Sequence, residues 1–205
     1  MIWPINSLND DHDPHVQAWL RKILRPGDIF YDIGANTGIM SRVAASCGAH
    51  VYVIEPNPNS LRVLLNTSTV SGWVRCALWD KVEGLRLHFP TMEHSAQAEV
   101  YEAAPDTLHD MRVNGVSLDC LTQDFGWPSP TVIKSDTQGC EVLWLRGATI
   151  SLNRCRSMIL EICESVLAAH GSSEQELLDL VNGLGFDVEV RIDNDILVVR
   201  SDVKG

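Results

Sequence analysis

The chain has 205 residues, a length that fits one compact domain, which we expect to span 1–205. Its formal net charge is -11, with 16 basic against 27 acidic residues, so a nucleic-acid partner is not expected, because phosphate affinity comes from clustered Lys and Arg. No run approaches the roughly 18 apolar residues of a membrane helix, and the first residues lack a signal-like pattern. We therefore expect a cytoplasmic protein without a membrane partner. The oligomeric state stays open.

The first 27 residues predict a helical segment. Asp13 can cap a helix that has Pro14 at its first position. Apolar residues then recur at helical spacing: Val16, Trp19, Leu20, Ile23 and Leu24. We expect this helix to lie against the sheet or over the mouth of the ligand site.

The run Asp32-Ile-Gly-Ala-Asn-Thr-Gly38 follows an apolar stretch at 29–31 and predicts a buried strand that turns through glycines into a helix. Gly34 and Gly38 would let this turn approach a ligand closely. The stretch 51–54 predicts the next parallel strand. It ends at Glu55, about twenty residues after the glycines, where a carboxylate can accept hydrogen bonds from both ribose hydroxyls. The two pieces predict a βαβ unit that holds an adenosine.

The middle of the chain is less regular. A helix is predicted from Pro58, and a third strand over 74–78. Between about 80 and 115 we expect an insertion on the substrate side, with one strand over 85–89 and a polar stretch after it. A helix starts near 116–121, capped by Ser117 or Asp119.

The fourth strand, at 131–136, carries charges that central parallel strands seldom bury. Period-two alternation places Lys134 and Asp136 on one face, which predicts a polar cleft there. A helix follows from about Glu141, and a fifth strand covers 157–163. Ser172 is predicted to cap a helix through Gly183, before a closing hairpin at 186–190 and 196–200.

The closing hairpin bears on the choice of cofactor. An antiparallel last strand is typical of class I methyltransferases, whereas nicotinamide-binding folds usually add further parallel βα units. We therefore predict an α/β fold with a doubly wound, Rossmann-like and mostly parallel sheet. S-adenosyl-L-methionine is the favoured cofactor, with S-adenosyl-L-homocysteine as its product.

Four motifs in this order resemble those of the FkbM-type S-adenosylmethionine-dependent methyltransferases. They are Asp32–Gly38, Glu55-Pro-Asn-Pro58, Val116-Ser-Leu-Asp119 and Ile133-Lys-Ser-Asp-Thr-Gln-Gly-Cys-Glu141. The family usually has Glu where this chain has Gln138. The resemblance implies methyl transfer to a hydroxyl group of a sugar or natural product.

Candidate site residues follow from these motifs. The predicted cofactor-binding residues are Asp32, Gly34, Ala35, Asn36, Gly38, Glu55, Pro56, Asn57, Ala77, Leu78 and Ser135. For catalysis, Asp136 would take the proton of the acceptor hydroxyl, and Lys134 would fix that carboxylate or bind substrate oxygens. Glu161 is a second acidic candidate beside the cleft.

Several alternatives stay open. Lys134 and Asp136 could form a purely structural ion pair. Asp136 with Glu161, and Glu164 near them, raises the question of a divalent metal, but no compact ligand motif is visible and no metal is predicted. Nitrogen could replace oxygen as the acceptor. The chain could also be a non-catalytic S-adenosylmethionine-binding partner subunit, or an NAD-dependent oxidoreductase.

Overall fold

The structure, a computed structural model, describes residues 12–88, 98–101 and 110–203. The strands in these ranges are β1 (Ile29–Ile33), β2 (His50–Ile54), β3 (Gly72–Val74), β4 (Ala77–Leu78), β5 (Glu83–His88), β6 (Glu99–Tyr101), β7 (Asp110–Val116), β8 (Val132–Ser135), β9 (Ser157–Glu161), β10 (Phe186–Ile192) and β11 (Asp195–Arg200). The α-helices are α1 (Pro14–Ile23), α2 (Ile39–Ser46), α3 (Pro58–Thr67), α4 (Leu118–Gln123), α5 (Glu141–Arg146), α6 (Glu164–Ala169) and α7 (Glu174–Gly183).

Seven strands form the main sheet, in the order β10-β11-β9-β8-β1-β2-β3. Neighbouring strands are parallel from β3 to β9, whereas β11 runs antiparallel to both β9 and β10. The strand order turns back at β1, which pairs with β2 on one side and β8 on the other. This confirms the predicted doubly wound α/β sheet with an antiparallel strand from a closing hairpin.

Helices cover both faces of this sheet because its central strands are apolar on both sides. On one face, Phe30 and Val132 pack with residues of α1, α2 and α3. On the other face, the next residues along each strand, Tyr31 and Ile133, pack with α4, α5 and α7. The two-residue repeat of a strand therefore divides the core into two layers.

A second sheet, of four strands in the order β4-β7-β5-β6, follows β3. The prediction of one strand over 74–78 is wrong, because β3 pairs with β2 in the main sheet and β4 pairs with β7 in the second sheet. The chain changes sheets at Arg75 and Cys76. The predicted strand at 85–89 corresponds to β5, with Phe89 outside the described residues, while β6 and β7 were not predicted.

Helix starts show two corrections. Asp13 makes no capping hydrogen bond to α1, because its backbone is left-handed, with φ 47°, and its carboxylate pairs with His12. Ser173, rather than Ser172, caps α7 by accepting a hydrogen bond from the backbone N–H of Glu176. Ser117 caps α4, as one of the two predicted options. Helix α6 was not predicted.

The six cysteines are all free thiols, and three of them, Cys76, Cys140 and Cys155, are buried. Burial raises the pKa of Cys76 and of Cys155 to about 12. These thiols therefore pack as small apolar side chains. Of the helices in the described ranges, none is both long and apolar enough to cross a bilayer.

The turn after β1 depends on Gly34, which generates a prediction about stability. A Cβ on Gly34 would lie 1.9 Å from the carbonyl oxygen of Asp136, and its φ is +70°. We expect Gly34→Ala to lower the free energy of unfolding by about 3 kcal/mol or more, measured by urea denaturation.

Gly27→Ala is the matched control, because Gly27 has a φ of +86° but would place its Cβ in open space. Its expected cost is only the left-handed backbone, about 1 kcal/mol. Equal losses in the two variants would show that the close approach to Asp136 is not a constraint.

Candidate functional site

A cavity opens at the carboxyl ends of β1, β2 and β8, beside β4 and β6, and the empty space within it and at its open mouth is about 600 Å³. This edge of an open α/β sheet, at the point where the strand order turns back, is where such folds bind ligands. The cavity is lined by Ile33, Gly34, Asn36, Ile54, Glu55, Pro56, Ser60, Cys76, Ala77, Leu78, Ala98, Val100, Asp136, Thr137, Gln138 and Cys140.

The glycines of the first turn serve packing within the protein. Gly34 sits against the backbone of Asp136, so the turn after β1 and the loop after β8 touch directly. Gly38 does not line the cavity, and a Cβ there would lie 2.7 Å from Leu64 of α3. The missing side chain of Gly38 therefore makes room for α3, and its predicted role in ligand approach stays a prediction.

Glu55 lies on the cavity wall between two backbone amides. Its Oε2 accepts the N–H of Asn36 at 2.8 Å, and its Oε1 accepts the N–H of Asn57 at 2.7 Å. Each carboxylate oxygen can accept a further hydrogen bond from a ligand. Burial raises the pKa of Glu55 to about 7, in spite of these two amides. The site therefore offers a fixed pair of acceptors whose charge depends on pH near neutrality.

Part of the cavity lining is apolar. Cys76, Ala77 and Leu78 come from the segment where the chain changes sheets, Val100 comes from β6 in the second sheet, and Ala98 precedes β6. Such a surface suits a flat ring, and Glu55 of the same cavity can bind attached hydroxyl groups.

Asp32 is buried behind the cavity wall. Its Oδ2 accepts a hydrogen bond from Ser41 at 2.6 Å, and its Oδ1 has no partner among the described residues. Burial raises the pKa of Asp32, although the positive charge of Lys134 opposes that rise. Asp32 is therefore not part of the cavity lining, and it interacts electrostatically with Lys134.

Charged groups gather where β8 and β9 end. The Nζ of Lys134 lies 3.2 Å from Oδ2 of Asp136, and the Lys134 side chain is only 7% exposed, against 27% for Asp136. Burial opposes the charge of Lys134, but the neighbouring carboxylates, Asp136 first among them, raise its pKa above the usual value. Of the two residues in this ion pair, Asp136 is therefore the one that lies at the cleft.

Gln138 and Glu161 complete this group. The amide Nε2 of Gln138 donates to Oδ1 of Asp136 at 2.7 Å and reaches Oε2 of Glu161 at 3.4 Å. Burial opposes the ionisation of Asp136, but Lys134 and these hydrogen bonds lower its pKa to about 2. The hydrogen bond to Asp136, together with burial, raises the pKa of Glu161 to about 9. At neutral pH the two carboxyl groups therefore share one proton, held on Glu161.

The structure separates the predicted residues into two groups. Gly34, Asn36, Glu55, Pro56, Ala77, Leu78 and Asp136 line the cavity, whereas Asp32, Ala35, Gly38, Asn57, Lys134, Ser135 and Glu161 are not among its lining residues. Ser135 lies on the opposite face of β8, where its hydroxyl accepts the indole N–H of Trp144 at 2.9 Å. Period-two alternation therefore turns its side chain into the core, and its assignment to the cofactor stays a prediction.

Several residues at the site were not predicted. Ser60, at the start of α3, donates to the side chain of Asn36 at 3.0 Å. Gln138 has a left-handed backbone, with φ 53°, and the glycine after it was the signal of a turn there. At the start of α1, the Nε2 of His15 lies 2.8 Å from Oδ2 of Asp195. Nothing in the local sequence indicates that last contact, because 180 residues separate its partners.

Metal binding was left open by the sequence. Within the ranges that the structure describes, no group of three or more His, Cys, Asp or Glu side chains is arranged to hold a metal ion.

The proton on Glu161 predicts how stability depends on pH. The raised pKa means that the folded protein binds this proton more tightly than the unfolded chain, so its stabilising effect is lost as pH rises toward about 9. Glu161→Gln removes the titrating group. We expect the free energy of unfolding of this variant to fall less steeply between pH 5 and 9, measured by chemical denaturation. Parallel pH profiles of variant and parent would contradict the shared proton.

Comparisons with known proteins agree with this geometry. A family profile described as the methyltransferase FkbM domain matches residues 32–188. The hexuronic acid methyltransferase AglP of Haloferax volcanii is 27% identical over 168 residues, which cover 78% of this chain and 66% of that protein. The chain thus spans slightly less than two thirds of the length of this relative.

Solved structures show the same fold at low sequence identity. Magnesium protoporphyrin IX methyltransferase of Synechocystis PCC 6803, solved with bound SAM, is 14% identical with a TM-score of 0.53, and the match covers 92% of this chain and 77% of that one. Precorrin-6y C5,15-methyltransferase of Geobacter metallireducens is 13% identical with a TM-score of 0.50, and covers 90% and 86%.

Proposed function

Because the chain belongs to the FkbM methyltransferase family, we propose that it transfers a methyl group from S-adenosylmethionine to a hydroxyl oxygen of a sugar or a natural product. The observation that carries this proposal is one cavity with two different carboxylates on its wall. Glu55 is held by two backbone amides, and Asp136 is held by a lysine and an amide side chain. We assign Glu55 to binding of the cofactor and Asp136 to acceptance of a proton.

The residues fit the nucleoside part of the cofactor. Glu55 keeps one free acceptor position on each oxygen, which matches the two neighbouring hydroxyls of a ribose. The apolar residues Ala77, Leu78 and Val100 line the same cavity as Glu55 and suit an adenine ring. The cofactor, when bound, supplies a methyl group on a sulfonium centre. Methyl transfer then requires the acceptor oxygen to be held about 3 Å from that carbon, opposite the sulfur.

Asp136 is the proposed base. As the acceptor oxygen takes the methyl group, its proton passes to the carboxylate of Asp136, and the electron pair of the broken carbon–sulfur bond stays on sulfur. Lys134 and Gln138 each hold one oxygen of that carboxylate. We assign them as positioning residues. The low pKa of Asp136 keeps it ionised at neutral pH, and this weak base takes the proton only as the forming carbon–oxygen bond makes the hydroxyl strongly acidic.

Gln138 bears on the alternative of a non-catalytic subunit. Its difference from the Glu usual in the family was the one sequence feature in favour of that alternative. The amide of Gln138 donates a hydrogen bond to Asp136, which an ionised glutamate could not do. The substitution therefore leaves the proposed base supported, and this favours the catalytic function.

The role of Asp136 is tested by Asp136→Asn. The amide cannot take the acceptor proton, so we expect turnover to fall by about 100-fold or more while the affinity for S-adenosylhomocysteine changes only a few-fold. Turnover is measured as release of S-adenosylhomocysteine, and affinity by calorimetry. Asp179→Asn, on the surface helix α7, is the control for a lost aspartate charge. Unchanged turnover in Asp136→Asn would exclude a base at this position.

The role of Glu55 is tested by Glu55→Ala and by pH. Loss of two charge-assisted hydrogen bonds, each worth about 1.5 to 3 kcal/mol, should weaken S-adenosylhomocysteine binding by about 100-fold or more. In the parent protein, affinity should decrease as pH falls through about 7, because protonated Glu55 loses acceptor capacity. Glu189→Ala, at the edge strand β10, should bind normally. Equal affinities for Glu55→Ala and Glu189→Ala would rule out the ribose contact.

A further inference from the structure

The acceptor side of the cleft is bounded by the sheet edge and by the start of α1. Glu161, at the end of β9, lies opposite Asp195 in the register of the antiparallel pair β9 and β11. Asp195 is in turn bound by His15 of α1, at 2.8 Å. The first turn of α1 therefore lies over the same edge at which Asp136 and Glu161 gather.

Three basic side chains described at this edge already have carboxylate partners from the chain itself. Lys134 is paired with Asp136, and His12 with Asp13. His15 is the third, through its contact with Asp195 described above. His12 is close enough to the catalytic end of β8 that both Lys134 and Asp136 influence its pKa. An anionic acceptor entering here would have to compete with these partners for each positive charge.

The described residues that line the cavity supply no positive charge either, because none of them is Lys or Arg. Of the stretches outside the described residues, 1–11, 89–97 and 102–109 contain neither Lys nor Arg and carry five acidic residues, and 204–205 contains Lys204. A carboxylate, sulfate or phosphate on the acceptor would thus lose its hydration near carboxylates without gaining a counter-ion, which is unfavourable.

We propose that the acceptor is an uncharged vicinal diol of a sugar ring, and that uronic acids are excluded by charge. This inference rests on the proposed methyl transfer. Gln138 bridges Asp136 and Glu161, so the two carboxyl groups lie side by side, as two neighbouring hydroxyls of a sugar ring do. Asp136 takes the proton of the hydroxyl that is methylated, and Glu161 hydrogen-bonds to the next one. The chain would then differ in substrate from its hexuronic acid methyltransferase relative.

The test compares three acceptors of nearly equal shape. Methyl β-D-glucopyranoside, methyl β-D-glucopyranosiduronate and the corresponding uronamide are titrated into protein saturated with S-adenosylhomocysteine, and binding is followed by calorimetry and saturation-transfer NMR. We expect the glucoside and the uronamide to bind within a few-fold of each other, and the uronate at least about 10-fold more weakly. The uronamide separates the effect of charge from the effect of size.

Two results would overturn this inference. One is a uronate that binds as well as the uronamide, and the other is no binding of any of the three while S-adenosylhomocysteine still binds. Failure of S-adenosylhomocysteine itself to bind would instead overturn the proposed function, so the two failures are distinguishable.

A variant tests the pairing directly. Asp13→Asn releases His12 from its carboxylate on an exposed part of the chain, where folding is not at risk. At about pH 6, where a free histidine is largely protonated, we expect the ratio of uronate to uronamide affinity to rise several-fold. Asp202→Asn, in the exposed turn after β11, is the control and should leave the ratio unchanged. If Asp13→Asn and Asp202→Asn gave the same ratio of uronate to uronamide affinity, the pairing of His12 with Asp13 would not explain the preference for an uncharged acceptor.

Discussion

The ammonium group of Lys134, buried at the end of the central strand β8, determines the position and the ionisation of the carboxyl groups at the cleft. Such a charge is tolerated inside a protein only when opposite charges surround it, and here Lys134 has a direct partner in Asp136 and further carboxylates in Asp32 and Glu161. The pair fixes Asp136 at the cleft. Because Lys134 keeps Asp136 ionised, the hydrogen bond between Asp136 and Glu161, together with burial, lets Glu161 retain its proton. The ionisation of this end of the cleft thus follows from one buried cation.

Local sequence signals were sufficient where neighbouring residues in the chain determine the structure. The glycine turn after β1, the carboxylate that ends β2 and the alternation along β8 are all short-range patterns, and they placed Gly34, Glu55 and Asp136 at one cavity. The antiparallel closing hairpin was also visible, and with it the fold class. The same alternation places the side chain of Ser135 on the face opposite Lys134 and Asp136, where it packs in the core.

Long-range packing explains what could not be predicted. Gly38 lacks a Cβ where one would clash with Leu64 of α3, which lies far from it in sequence. The switch from β3 to β4 depends on pairing with β7 near residue 115. Strand β6 is three residues long and carries no alternation that distinguishes it from a loop. The contact of His15 with Asp195 joins the two ends of the described chain. No window of neighbouring residues contains the information for such contacts.

The pairing of β1 with β8 has a consequence for the order in which the chain folds. Phe30 lies beside Val132, about a hundred residues later, so one edge of β1 stays open until the ribosome has made that strand. At roughly 5 to 20 residues per second, this interval lasts about 5 to 20 seconds. The second sheet lies wholly within the interval and can pair on its own, through β5 and β7. During synthesis, therefore, all four strands of the second sheet are made before β8, the strand that leads to Asp136.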